Sequence, residues 1–208
     1  MAITKIDDDL VALGKCKAYI SDILYHSDDV RNLTMPTLDD DRFDTLHNFF
    51  GGKNLEYFNP VTQKIEYVDL PGHCFDVPYI HEAMTNPCAL ITMDSFITKI
   101  ENKQMKEIEI DIFALSHRDF IHMDTTEKDT YVQKGYAGNR VDMMVAAIEM
   151  ALKTAEMPKD FALGRLRFKP ENPIFPYESN TGFYGKKISL LCSDFFIRPN
   201  KEKNGVLL

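Results

Sequence analysis

The chain has 208 residues, 44% apolar and 27% charged, with 24 Lys and Arg against 32 Asp and Glu for a net charge of −8. That is the composition of a globular chain able to bury about 70% of its unfolded surface. The acidic balance argues against broad, non-specific nucleic-acid binding, which needs cations to replace phosphate counterions, and it fits a surface that repels DNA.

At the N-terminus, MAITKIDDDLVALGK has no apolar core of signal-peptide type, and three aspartates follow soon after Lys5. Residues Thr4 to Tyr25 are expected to form a helix capped by Thr4 or Asp7. Its stripe runs Leu10, Leu13, Ile20 and Leu24, interrupted by Lys17, whose long stem can snorkel. Asp39 to Phe50 reads as a second short helix with Phe43, Leu46 and Phe50 on one side, stopped by Gly51-Gly52. Leu55 to Phe58 and Lys64 to Val68, separated by Asn59-Pro60-Val61-Thr62-Gln63, read as a hairpin. Residues 71–88 hold three prolines and read as an irregular loop.

The centre alternates clearly. Ala89 to Ile100 places Ile91, Met93 and Ile97 on one face. Lys106 to Leu115 places Ile108, Ile110, Ile112 and Ala114 on one face and Glu107, Glu109 and Asp111 on the other. A hairpin with one buried and one solvated face is the expectation. A polar stretch from Asp124 to Gly138 leads to a helix capped by Asn139, with Val141, Val145, Ile148 and Leu152 as its stripe and Pro158 as its stop. Strands are expected at Phe161 to Lys169 and Lys186 to Ile197, joined by a loop with Pro170, Pro173 and Pro176. No run of about 18 apolar residues exists, so no transmembrane helix is expected. Cys16, Cys74, Cys88 and Cys192 are scattered without a CxxC pair, which predicts reduced, mostly buried thiols in an intracellular setting.

Candidate chemistry is thin. His73-Cys74-Phe75-Asp76 with His81 lacks the paired short spacings of a zinc site and reads as a polar loop. His117-Arg118-Asp119 resembles a kinase catalytic-loop fragment but has none of its companion motifs. Lys134 to Arg140 bears glycines before a helix yet lacks the phosphate-loop pattern. Glu107, Glu109 and Asp111 could hold Mg²⁺ in a small carboxylate-dependent hydrolase; a solvated face is the plainer reading. Arg165, Arg167 and Lys169 share one side of a strand. That side suits either a nucleic-acid-binding sheet or, preferred here, an inter-subunit match to the acidic face at 107–111.

From about residue 88 to 197 the order is a strand hairpin ending in Ile108-Glu109-Ile110-Asp111-Ile112-Phe113-Ala114, the helix Arg140-Val141-Asp142-Met143-Met144-Val145-Ala146-Ala147-Ile148, then Gly164-Arg165-Leu166-Arg167-Phe168 and Lys187-Ile188-Ser189-Leu190-Leu191 running into Asp194-Phe195. This order resembles the neck and tail-terminator proteins of tailed bacteriophages, the rings of the head–tail connector. The resemblance implies a homo-oligomeric ring in the virion, assembled in the host cytoplasm against other neck or tail proteins, with DNA passing through unbound. It implies no catalytic residues and no cofactor, while the irregular His/Cys spacing and the lack of a long apolar run lead to the expectation of no metal and no membrane. Glu107, Glu109, Asp111, Arg165 and Arg167 are the candidate lumen or interface residues. The expected fold is α+β, a largely antiparallel sheet packed by two main helices with long loops. The expected organisation is a single domain over 1–208: an extension at 1–87, a core at 88–198 and a mobile tail at 199–208. The loops at 71–88, 124–138 and 170–186 would meet neighbouring rings.

Overall fold

A computed structural model describes residues 8–35, 49–50, 52–59, 61–70, 72–76, 88–100, 105–155, 167–170, 174–178 and 182–196. Helix α1 (Asp8–His26) buries Leu13, Cys16, Ile20 and Leu24, the 3-and-4 spacing of one helix face. Lys17 lies beside that stripe, and its ammonium donates to the carbonyl oxygen of Asp76 at 2.5 Å. The polar head thus leaves the core while its stem stays on it. Ser27 ends α1 and caps α2 (Asp28–Thr34) by accepting from the Val30 N–H. The expected helix at 39–50 is described only at residues 49–50, which are helical and include the fully buried Phe49.

Strands β1 (Gly52–Asn59) and β2 (Lys64–Leu70) pair antiparallel as a separate two-stranded sheet. Gln63 takes a φ of 53° in the turn between them. The main sheet is built from β3 (Cys74–Phe75), β4 (Ala89–Ile100), β5 (Met105–His117), β6 (Arg167–Phe168), β7 (Ile174–Glu178) and β8 (Phe183–Phe196). Its order is β3-β4-β5-β8-β6, with β7 also on β8, and only the β3–β4 pair is parallel. Between β5 and β8 the backbones approach so closely at Gly185 that an added Cβ would collide with the Ala114 carbonyl.

Helix α3 (Thr125–Gln133) begins at Asp124, whose carboxylate accepts from the Glu127 N–H at 2.8 Å. Helix α4 (Arg140–Thr154) begins with a capping box: Asn139 accepts from the Asp142 N–H and Asp142 from the Asn139 N–H, each at 3.0 Å. The α4 stripe lies on the isoleucine face of β5, where Ile108, Ile110 and Ile112 are fully buried with Ile188, Leu190 and Cys192 of β8. Val145 and Ile148 are buried in one cluster with the strand isoleucines and Leu152 packs at its edge, so the predicted faces meet there; Val141 is buried but outside that cluster. The fold is α+β with a mostly antiparallel sheet.

Three expected loops contain regular structure. Residues 124–138 hold α3, 170–186 hold β7, and 71–88 hold β3. Helix α3 is held by tertiary contacts rather than by an apolar stripe. Arg140, 2% exposed, sends its guanidinium to both Glu127 oxygens at 2.6 and 2.8 Å and to the Phe120 and Leu33 carbonyls. Its cation stacks on the Phe120 ring at 4.2 Å. Lys134 and Tyr136, just past α3, bond Asp29 of α2. The strand expected at 161–169 is described only from Arg167; Arg165 and the tail at 199–208 lie outside the described residues.

Candidate assembly surface

The face of β5 opposite the isoleucines does not carry solvated carboxylates. Glu109 is 5% exposed and Asp111 6%, which corrects the expected acidic, open face. Burying a carboxylate costs heavily unless it is paired and hydrogen-bonded. Both are. The Lys169 ammonium reaches the two Glu109 oxygens at 2.9 and 2.8 Å. Lys187 donates to one Asp111 oxygen at 2.9 Å and the Ser189 hydroxyl to the other at 2.6 Å.

Register explains this pairing. Asp111 lies opposite Ser189 on β8, and Lys187 is the next residue along the same face, opposite Phe113. On its other side Asp111 faces Asp94 of β4, a like-charge pair that the lysine offsets. Lys169 follows β6, which runs beside Leu191, itself opposite Glu109. Of the basic segment expected to match the acidic strand across a subunit boundary, Lys169 thus meets it inside one chain. Glu107 is half-buried and accepts from the Thr98 hydroxyl at 3.0 Å, while Arg167 is exposed. Two partners that sequence reasoning missed, Lys187 and Ser189, sit at period-two spacing on β8. That alternation was the available signal. At the far end of this face, Leu90, Leu115 and Phe183 form a small apolar cluster with Phe113 and Tyr177.

Other candidate chemistry does not converge. Among the described residues, no group of three or more His, Cys, Asp or Glu side chains is placed to hold a metal ion. The His73 ring donates through Nδ1 to the Ala89 carbonyl at 2.7 Å, and burial pulls its pKa below the usual value against that bond. Burial pushes the thiols of Cys16 and Cys74 up to about 12 and that of Cys88 to about 11, the reverse of an activated nucleophile. The N-terminus of α4 is occupied by its own capping carboxylate, Asp142, bonded to Lys186 at 2.5 Å beside a cleft of about 450 Å³. Burial raises the Asp142 pKa; the Lys186 bond, the Asn139 N–H and the lysine charge outweigh it and hold it low.

The sheet edges differ. On β8 the outer edge carries β7 along 184–188 and β6 at 190–191. On β4 the outer edge pairs with β3 only at Ile91 and Thr92, so from Met93 onward it meets no further strand among the described residues. Phe96, on that stretch, is 39% exposed.

A protein-family model matches residues 22–192, which span the end of α1, the hairpin, α2 to α4 and the main sheet as far as Cys192 of β8. The chain belongs to the YomW family. YomW is a phage-derived family, so the chain is a phage-related protein. No curated protein and no solved structure matches this YomW member. No described helix of it is long and apolar enough to cross a membrane.

Proposed function

We propose that this YomW-family chain is a structural subunit of a phage particle, a neck or tail-terminator type ring that joins head to tail. The observation that supports this reading is the element order β4, β5, α3, α4, β6, β7, β8, which contains the hairpin, helix and closing strands on which the resemblance to connector rings rests, in a chain of a phage-derived family. Copies would associate head to tail into a closed homo-oligomer, because a heterologous contact that closes leaves no exposed edge. Other neck or tail proteins would stack on the ring, and the net charge of −8 would let DNA pass without sticking. With Glu109 and Asp111 bound to lysines, repulsion of DNA falls to the overall charge and to more accessible carboxylates such as Glu107. The proposed role needs no cofactor and no catalytic residue.

The reading is tested by sedimentation velocity and negative-stain microscopy on purified protein, alone and with the neighbouring head and tail proteins. A discrete closed multimer is expected in at least one of these preparations. A strict monomer in all of them, with turnover of a phosphoester, would overturn it.

A further inference from the structure

We propose that α3 and the turn that follows it, residues 124–138, form a strap that opens while the rest of the fold stays closed. Within this segment only Tyr131 is buried; Glu127 and Tyr136 are half-buried and every other residue is exposed. Helix α4, which follows directly, buries eight of its fifteen residues. A helix with so little apolar burial sits at the low-stability end of a fold, where opening is local.

Two polar clasps and one seated ring hold the strap down. At the first clasp Glu127 accepts two bonds from the Arg140 guanidinium, at 2.6 and 2.8 Å. At the second, Lys134 pairs with one oxygen of Asp29 on α2, and the Tyr136 hydroxyl donates to the other at 2.8 Å. Tyr131 is the buried anchor, with the Tyr136 ring beside it at 6.1 Å between centroids. The backbone bonds described for the segment stay inside it: Lys128 donates to Asp124, Lys134 and Tyr136 to Tyr131, and Gly135 to Val132. Freeing the strap therefore parts no strand and no other helix.

Both ends are anchored independently of α3. Before it, Phe120 and Met123 pack on the main core, and the Ile121 carbonyl accepts the Arg140 N–H at 3.3 Å. Behind it, Asn139 and Asp142 cap α4 from within that helix and its own cap. Between α3 and that cap lie Gly135 at a φ of 90° and Gly138 at 102°, backbone states that suit glycine and make this the hinge. Arg140 survives the opening. It loses Glu127 but keeps the Phe120 and Leu33 carbonyls and the Phe120 ring, none of which belongs to the strap. Its cation stands at the positive end of α4, so water must take over from the Glu127 carboxylate when the strap lifts. Opening thus bares the guanidinium and the seat of Tyr131 together.

Hydrogen–deuterium exchange of the full chain, read on peptides by mass spectrometry, tests the strap. Peptides within 125–136 should exchange faster than those of α4 and β5 by roughly tenfold or more. Low urea that speeds α4 should leave the strap unchanged, because local opening exposes little surface. Glu127→Gln and Asp29→Asn each weaken one clasp. Each should speed the strap by roughly tenfold and leave α4 and β5 within about twofold. Strap peptides as slow as those of α4 would show that α3 opens only with the whole fold. Substitutions that speed α4 and β5 as much as the strap, or that leave the strap unchanged, would equally overturn the proposal.

Discussion

The two faces of β5 are buried by different means. On one face Ile108, Ile110 and Ile112 are fully buried against α4 and β8, and burial itself is the stabilising term. On the other, Glu109 and Asp111 are nearly as buried, and burial is a cost offset by Lys169, Lys187 and Ser189. Alternation of apolar and charged residues therefore reports which chemistry each face uses. It does not report which face meets water.

Mutations at three depths separate the two faces. Truncating Ile110→Ala should cost about 2–5 kcal/mol, the transfer term plus the cavity left behind, measured by urea denaturation. Asp111→Ala should cost less, about 1–3 kcal/mol, since it strands Lys187 and the Ser189 hydroxyl but the lysine can turn to water. Glu109→Ala should fall below Asp111→Ala, because Lys169 is the more exposed of the two lysines (39% against 27%). If both carboxylate variants were as stable as the parent, the face would be solvated after all. A double-mutant cycle on Glu109 and Lys169 should show coupling of about 0.5 kcal/mol or more. Glu107→Ala, at the half-buried rim, should stay within about 0.5 kcal/mol.

His73 extends the contrast, because it is half-buried with no cation or anion beside it among its described partners and its pKa is lowered by the burial it has. The unfolded chain binds the proton more readily, so the contribution to stability is full above pH 6.5 and is lost as pH falls from there through the folded value. Wild type should lose more stability between pH 7 and 5 than His73→Gln, read from urea midpoints. Asp142, also lowered, adds a second loss below pH 4 that Asp142→Asn should remove. Equal pH slopes in parent and variant would contradict either assignment.

The long, periodic elements were legible in the sequence: α1, the β1–β2 hairpin, β4, β5, α4 with its Asn139 cap, and β8. Short elements were not. Helix α2 spans 7 residues and β3 only 2, too few for a period to register. Helix α3 has one buried residue, Tyr131, and is held by Arg140 through Glu127, a contact 13 positions away. Strand β7 begins one residue after Pro173 and contains Pro176, which a strand tolerates only at an edge, so the segment read as loop. The carboxylates of the candidate surface were visible, but their lysines come from 60 and 76 positions downstream. Only the sheet order brings them together.

The proposal that this phage-related chain is built into the particle is tested most directly by quantitative mass spectrometry of purified particles. The account predicts that the chain co-purifies with heads and tails at a fixed ratio of several copies per particle, resistant to high-salt washing. Abundance in the lysate with absence from particles would contradict it.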